Sequence, residues 1–251
     1  MTETRNIRLI VSYDGTDFSG WQRQENGRSV QEEIEKALGR IHKNKVQLFG
    51  SGRTDAGVHA TGQVANFRTD IASIPPSNFV AALNGLLPRD VRILEARQAS
   101  DDFHARFDAK TRLYRYFLIC GRAALPHELR YAWQLWRRPD LSVLNSMAVG
   151  LIGETDCSTF ATPKDPSESR HRYVSLARFH PDGDKLVFEI AANAFLYRMV
   201  RSVVGSLLHY EEAGADAAYF RRVVESRDRK MAGPTAPSQG LFLWKIDYYR
   251  D

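Results

Sequence analysis

The stretch FGSGRTDAGVHATGQVANF, Phe49 to Phe67, sets Arg53, Thr54 and Asp55 between Gly52 and Gly57 and places a lone histidine, His59, just beyond. Val46 to Phe49 reads as a short strand that delivers the chain into this loop, and Val64 to Phe67 as a strand that carries it out. GSGRTD starts like the GxGxxG loop that cradles a dinucleotide, but Asp55 stands where the last glycine belongs. A carboxylate there would repel a pyrophosphate, so a dinucleotide site is excluded. No GxxxxGK[ST] occurs anywhere, so the phosphate cradle of a nucleotide triphosphate is missing too. What is left is an acid two residues from a guanidinium with no metal ligands nearby. Such an aspartate stays ionised and can act as a nucleophile or steady a cation developing at a sugar carbon. Taken alone, Asp55 reads better as an Asx turn or a helix cap beside Gly57, and His59, four residues from it and a candidate general base, reads better as a local hydrogen-bonding residue.

Strand and helix alternate on both sides of the loop. Ile7, Leu9, Val11 and Tyr13 alternate with polar or smaller residues, as a strand requires. YDGTDFSGW breaks that strand with an Asp-Gly turn. Ser29 opens a helix, with Glu32 placed to complete a capping box, and Val30, Ile34, Ala37, Leu38 and Ile41 form its apolar stripe. IPPSN (74–78) marks a break before a helix over Phe79 to Leu87. In the second half, Leu113, Arg115, Phe117 and Ile119 alternate with Arg112, Tyr114, Tyr116 and Leu118, so the two tyrosines share one strand face. Leu141 to Leu151 reads as a helix and Leu186 to Ile190 as a strand. Asn193 is placed to cap a long helix whose stripe is Leu196, Val200, Val203 and Leu207. AGPTAPSQG (232–240) then leads into a last strand, Leu241 to Tyr248. The pattern suggests two α/β halves of related build, joined near Asp101 to Asp108, here divided as residues 1–105 and 106–251.

Bulk composition narrows the class. Of 251 residues, 43% are hydrophobic and 26% charged, the balance of a globular protein that stays in water. Met1 to Arg8 is polar, which argues against a secretory leader, and no apolar run reaches the roughly 20 residues a bilayer span needs. Cys120 and Cys157 are the only cysteines, far too few and too far apart for a zinc site or a disulfide framework. A cytoplasmic protein is expected. The net charge is +5, and 27 of the 35 cationic residues are arginine. Arginine forks onto phosphates and stacks on bases, whereas lysine acts as a point charge. Arginines lie among aromatics in RLYRYF (112–117) and FLYRMVR (195–201), which suits RNA with exposed bases. Solvated surface charge accounts for the composition equally well.

The longer motifs add a resemblance. YDGTDFSGWQ (13–22), SVQEEIEKAL (29–38), GRTDAGVHATGQVANF (52–67), LNGLLPRDVRI (83–93), FHARFDAKTRLYRY (103–116), NAFLYRMVRSVVG (193–205) and GPTAPSQGLFLW (233–244) resemble, in order, the signatures of the TruA-type tRNA pseudouridine synthases. The chain departs from them modestly, with Phe18 where tyrosine is usual, Ser202 for asparagine, and Thr155 and Cys157 in GETDCSTF (153–160). The resemblance implies two ferredoxin-like α/β subdomains sharing a central, mostly antiparallel sheet, with helices outside and a basic cleft between the halves. It also implies a homodimer acting on the anticodon stem-loop of tRNA, at uridines 38, 39 and 40, by base flipping and without metal or other cofactor. Asp55 matches the family's catalytic aspartate, Arg201 a basic residue paired with it, and Tyr114 the active-site tyrosine. Arg53, His104 and Arg106 are further candidates for RNA contacts near the site. Two other classes stay open at this point. A binding-only RNA module explains the charge but gives Asp55 no task, and a glycosidase-like hydrolase needs a second carboxylate, for which Asp14 and Asp17 are the candidates.

Overall fold

A computed structural model describes residues 4–163 and 165–249. It is a mixed α/β structure with five α-helices and ten strands, mostly antiparallel, among the described residues. The chain divides into two compact units, residues 1–110 with 243–251, and residues 111–242. The described residues contain no helix long and apolar enough to cross a membrane.

In the first unit, β1 (Arg5–Tyr13) lies between β3 (His59–Thr69) and β4 (Val91–Ala99), antiparallel to both. The short β2 (Leu48–Gly50) pairs with β3, and β10 (Leu241–Tyr248) follows β3 on its other side. The expected alternation on β1 is real: Ile7, Leu9, Val11 and Tyr13 are all buried. Its polar neighbours Asn6 and Arg8 are buried as well, because the turn at 100–108 and β10 cover that face. α1 (Val30–His42) buries Val30, Ile34, Ala37 and Leu38, while Ile41 is only half-buried. The expected capping box does not form. Ser29 has the extended backbone of a cap, but its hydroxyl is buried and makes no cap hydrogen bond. α2 (Asn78–Asn84) anchors through Phe79 and Leu83 and stops three residues short of the expected Leu87.

In the second unit the strand order is β5 (Ala109–Cys120), β9 (Lys185–Ala192), β8 (His171–Asp182) and β7 (Gly153–Asp156), all antiparallel, with β6 (Trp133–Leu135) added parallel to β5. α3 (Leu141–Ala148) is capped by Asp140, whose Oδ1 accepts from the N–H groups of Ser142 and Val143 at 2.8 and 3.1 Å. It passes directly into a 3₁₀ turn, Val149–Leu151. α4 (Met199–Glu212) buries Val200, Val203 and Leu207, and α5 (Ala217–Glu225) lies against α3. The long helix therefore begins six residues after Asn193, not at it. The Asn193 carboxamide oxygen instead accepts from Tyr173 N–H at 3.0 Å and Ala194 N–H at 2.8 Å, closing the end of the β8–β9 ribbon. Arg198, with φ of +61°, then turns the chain into the helix.

Candidate functional site

The GRTDAGVH loop is held by its neighbours at almost every residue. Gln63, fully buried on β3, closes both sides of Gly52: its Nε2 donates to Gly52 O at 2.6 Å, and its Oε1 accepts from Gly52 N–H at 3.3 Å. Thr54 is the inward anchor, with its hydroxyl 2.8 Å from that of Tyr13 and its carbonyl accepting from Trp21 N–H at 3.2 Å. Its neighbours point the other way in accessibility: Arg53 is exposed and Asp55 half-buried. Asp55 O accepts from Val58 N–H at 3.2 Å, and Gly57 sits third in that turn with φ of +75°, the conformation a type II turn demands. Each of these buried bonds contributes about 1 kcal/mol, enough together to fix the loop rather than leave it to fray.

The YDGTDFSGW segment is the other wall of this clamp. A Cβ on Gly15 would lie 2.0 Å from Val58 O, and one on Gly20 would lie 2.5 Å from Thr54 O. Only glycine lets the two backbones approach so closely. His59 is fully buried, and its Nδ1 accepts from Gly15 N–H at 3.0 Å. That makes it a brace between the two segments. Asp14 closes its own turn, accepting from Thr16 N–H and the Thr16 hydroxyl at 3.0 and 2.6 Å. It thus has a structural task, which weakens it as the second carboxylate of a hydrolase. Asp17 is exposed.

His104 and Arg106 lie in a turn of the same unit. Arg106 N–H donates to His104 Nδ1 at 3.1 Å, and His104 N–H donates to Asp108 Oδ2 at 2.7 Å. Arg106 is exposed, and the His104 ring packs against Phe49 and Phe107 with centroids 5.1 and 4.4 Å apart.

Tyr114 and Arg201 belong to the second unit. Tyr114 is buried on β5, opposite Ile190, with its ring edge-on to Phe195 at 5.0 Å. Arg201, in the first turn of α4, is half-buried, and its Nε donates to Ala236 O at 2.8 Å. Tyr116 donates its hydroxyl to the next carbonyl, Pro237 O, at 2.8 Å. Burial pushes the Tyr116 hydroxyl far above its ordinary range, while the positive charge of Arg201 pulls it down. Arg201, Tyr116 and the 234–237 segment are therefore one assembly. Of the six expected site residues, Arg53 and Asp55 share a loop, His104 and Arg106 share a turn, and Arg201 sits beside the neighbour of Tyr114. His59 hydrogen-bonds as the sequence suggested, though to Gly15 in the facing segment rather than locally. Gln63 and the partner carbonyl of Ala236 escaped the sequence reading. For Gln63 a signal existed, since it is a polar residue inside an apolar strand. Among the described residues, no cluster of three or more His, Cys, Asp or Glu is placed to hold a metal ion.

Comparison with known proteins bears on what this arrangement serves. A family profile described as tRNA pseudouridine synthase matches residues 9–108 and 147–249. The chain is 51% identical to the tRNA pseudouridine synthase A of Treponema denticola, over 98% of this chain and 94% of that one. It is 46% identical to the protein of that name from Treponema pallidum (93% and 85% covered) and 41% identical to that from Brachyspira hyodysenteriae (98% and 99% covered). Both segments of the clamped loop, and the helix that carries Arg201, lie within the matched residues, and the chain belongs to the tRNA pseudouridine synthase family.

Proposed function

We propose that this tRNA pseudouridine synthase, an isomerase, converts uridine to pseudouridine in the anticodon stem-loop of tRNA, at tRNA positions 38, 39 and 40. The observation that carries this is the 51% identity running through 98% of the chain, the GRTDAGVHA loop included. The reaction breaks the N1–C1′ bond, turns the uracil and joins C5 to C1′. The hydrogen on C5 leaves and N1 gains one, so substrate and product have equal mass and no electrons are exchanged.

Asp55 is assigned as the nucleophile, attacking either C1′ of the sugar or C6 of the base. Arg201 is assigned to keep that carboxylate ionised by opposite charge. Tyr114 is assigned to stack on the flipped nucleotide or move its proton, with Arg53, His104 and Arg106 on the RNA. Lifting a base out of its stack costs a few kcal/mol, which contacts to the RNA must offset. The rigid loop supports this reading, because a nucleophile that must meet a flipped sugar gains from being held before substrate arrives. In this reading residues 1–105 carry the aspartate loop, 106–251 complete a basic cleft, and two copies of the chain act together in the cytoplasm on one tRNA.

Incubation with an unmodified tRNA transcript, followed by product analysis, tests the assignment. An isomer of equal mass supports it, released uracil would indicate a hydrolase, and unchanged RNA a binding module.

A further inference from the structure

Phe107 is 73% exposed, yet it stands on a rigid support. Its ring rests on His104 at 4.4 Å, and His104 rests in turn on Phe49 at 5.1 Å. The turn that carries it is fixed from below by two buried asparagines. Asn6 Nδ2 donates to Ser100 O and Phe103 O at 2.9 and 2.8 Å, and Asn66 Oδ1 accepts from Ala105 N–H at 2.9 Å. Asn66 Nδ2 donates to Asn6 Oδ1 at 3.0 Å, joining the two, and Tyr248 donates its hydroxyl to Ala105 O at 2.8 Å. Buried carboxamides are costly unless satisfied, and here both serve to immobilise one surface turn.

A lone exposed phenylalanine needs no explanation, but one at the tip of so stiff a support does. The surroundings indicate what would sit on it. The Arg106 guanidinium lies 5.6 Å from the Phe107 ring centroid. Phe49, at the base of the stack, also lines an open groove of about 580 Å³ together with Lys45, Arg68 and Asp70, Arg68 being bridged to Asp101 at 3.4 Å. A ring on a fixed mount, with the Arg106 guanidinium beside it and Lys45 and Arg68 in the adjoining groove, has the chemistry that accepts a stacked base and a neighbouring phosphate.

We propose that Phe107, backed by His104 and Phe49, is a stacking platform for an unpaired nucleobase of the bound RNA, with the adjoining groove receiving its flanking phosphate. This rests on the reading that the substrate is RNA and assigns a task to Phe107 that is separate from the chemistry at Asp55. Rigidity matters because a side chain already held in place loses little freedom when a base covers it.

Affinity of wild type, Phe107→Ala and Phe107→Tyr is measured by filter binding at one fixed salt concentration. Two probes are used, an unmodified tRNA transcript and a fully paired RNA duplex of similar length. Phe107→Ala should weaken tRNA binding about tenfold or more while leaving duplex binding unchanged, and Phe107→Tyr should stay within about twofold of wild type on both. Wild-type tRNA affinity in Phe107→Ala, or an equal loss on the duplex, would overturn the proposal. Since binding is read without turnover, a tRNA-specific loss supports the platform even where no pseudouridine is made, an outcome that would count against the isomerase reading alone.

Discussion

Arg201 and Ala236 are joined in both directions: Arg201 Nε donates to Ala236 O at 2.8 Å, and Ala236 N–H donates to Arg201 O at 3.1 Å. The guanidinium is therefore aimed by backbone, through the Nε N–H, where lysine has only a methylene. Arg201→Lys keeps the charge but loses this aim, and should slow pseudouridine formation about 10²-fold with tRNA affinity nearly unchanged. Arg201→Met should lower the rate further. Single-turnover rates with a tRNA transcript check the series; a lysine variant as fast as wild type would return Arg201 to an ordinary helix residue.

The same pair makes Gly205 a critical position. A Cβ there would lie 1.8 Å from Pro234 O, a backbone atom that can move only by carrying its segment away from α4. Gly205→Ala should destabilise the protein by about 3 kcal/mol, at the upper end for overpacking, and should also loosen the Ala236 contact to Arg201. Denaturant unfolding alongside the single-turnover rate tests this. Loss of stability with an unaltered rate would separate Gly205 from the alignment of Arg201.

Acid sensitivity should centre in part on Glu189. This carboxylate is 3% exposed and bridges Arg115 at 2.8 Å and Arg178 at 2.8 Å. Burial pushes its carboxyl up, but the two guanidinium bonds outweigh that and hold it below the ordinary range. A group lowered on folding stabilises the protein above its unfolded value, about 4.3, and that stabilisation is lost as pH falls through the folded value. Glu189→Gln should cost about 1–3 kcal/mol at pH 7, with the gap to wild type shrinking below about pH 4. A gap that stays constant with pH would contradict the charge argument.

Cys157 should be silent to thiol reagents in the native protein. It is fully buried, and burial pushes its thiol up to about 12, so almost none is thiolate at neutral pH. Its alkylation should proceed only as fast as the protein opens and should accelerate in denaturant. Rapid labelling under native conditions would show that β7 and its following turn open locally.

Elements whose two faces differ were legible in the sequence. β1 was marked by the alternation of Ile7, Leu9, Val11 and Tyr13, and β10, announced by the Gly- and Pro-rich 232–240 segment, spans Leu241–Tyr248 as expected. Elements governed by a distant partner were not. Asn193 has the chemistry of a helix cap, but the N–H of Tyr173, far away in sequence, occupies it and delays α4 to Met199. Ser29 with Glu32 has the spacing of a capping box, yet the Ser29 hydroxyl makes no cap bond, and the N–H groups of Val30 and Gln31 go to the carbonyls of Gly20 and Trp21 instead. In the site, the composition of the aspartate loop was readable because its glycines mark the turn. The brace Gln63 was not, nor was the distant partner of His59, since Gln63 meets Gly52, and His59 meets Gly15, only once the chain is folded.

The central claim is that Asp55 performs the chemistry on tRNA. Asp55→Asn keeps the volume and removes the charged nucleophile while the clamp through Thr54, Gln63 and Gly57 stays in place. The decisive measurement is chemical mapping of pseudouridine in an unmodified tRNA transcript carrying uridine at 38, 39 and 40, after incubation with wild type and with Asp55→Asn. Wild type should form pseudouridine at one or more of these positions and the variant none above background, although both bind the transcript with similar affinity. Pseudouridine formed by Asp55→Asn at a rate near wild type would contradict that claim.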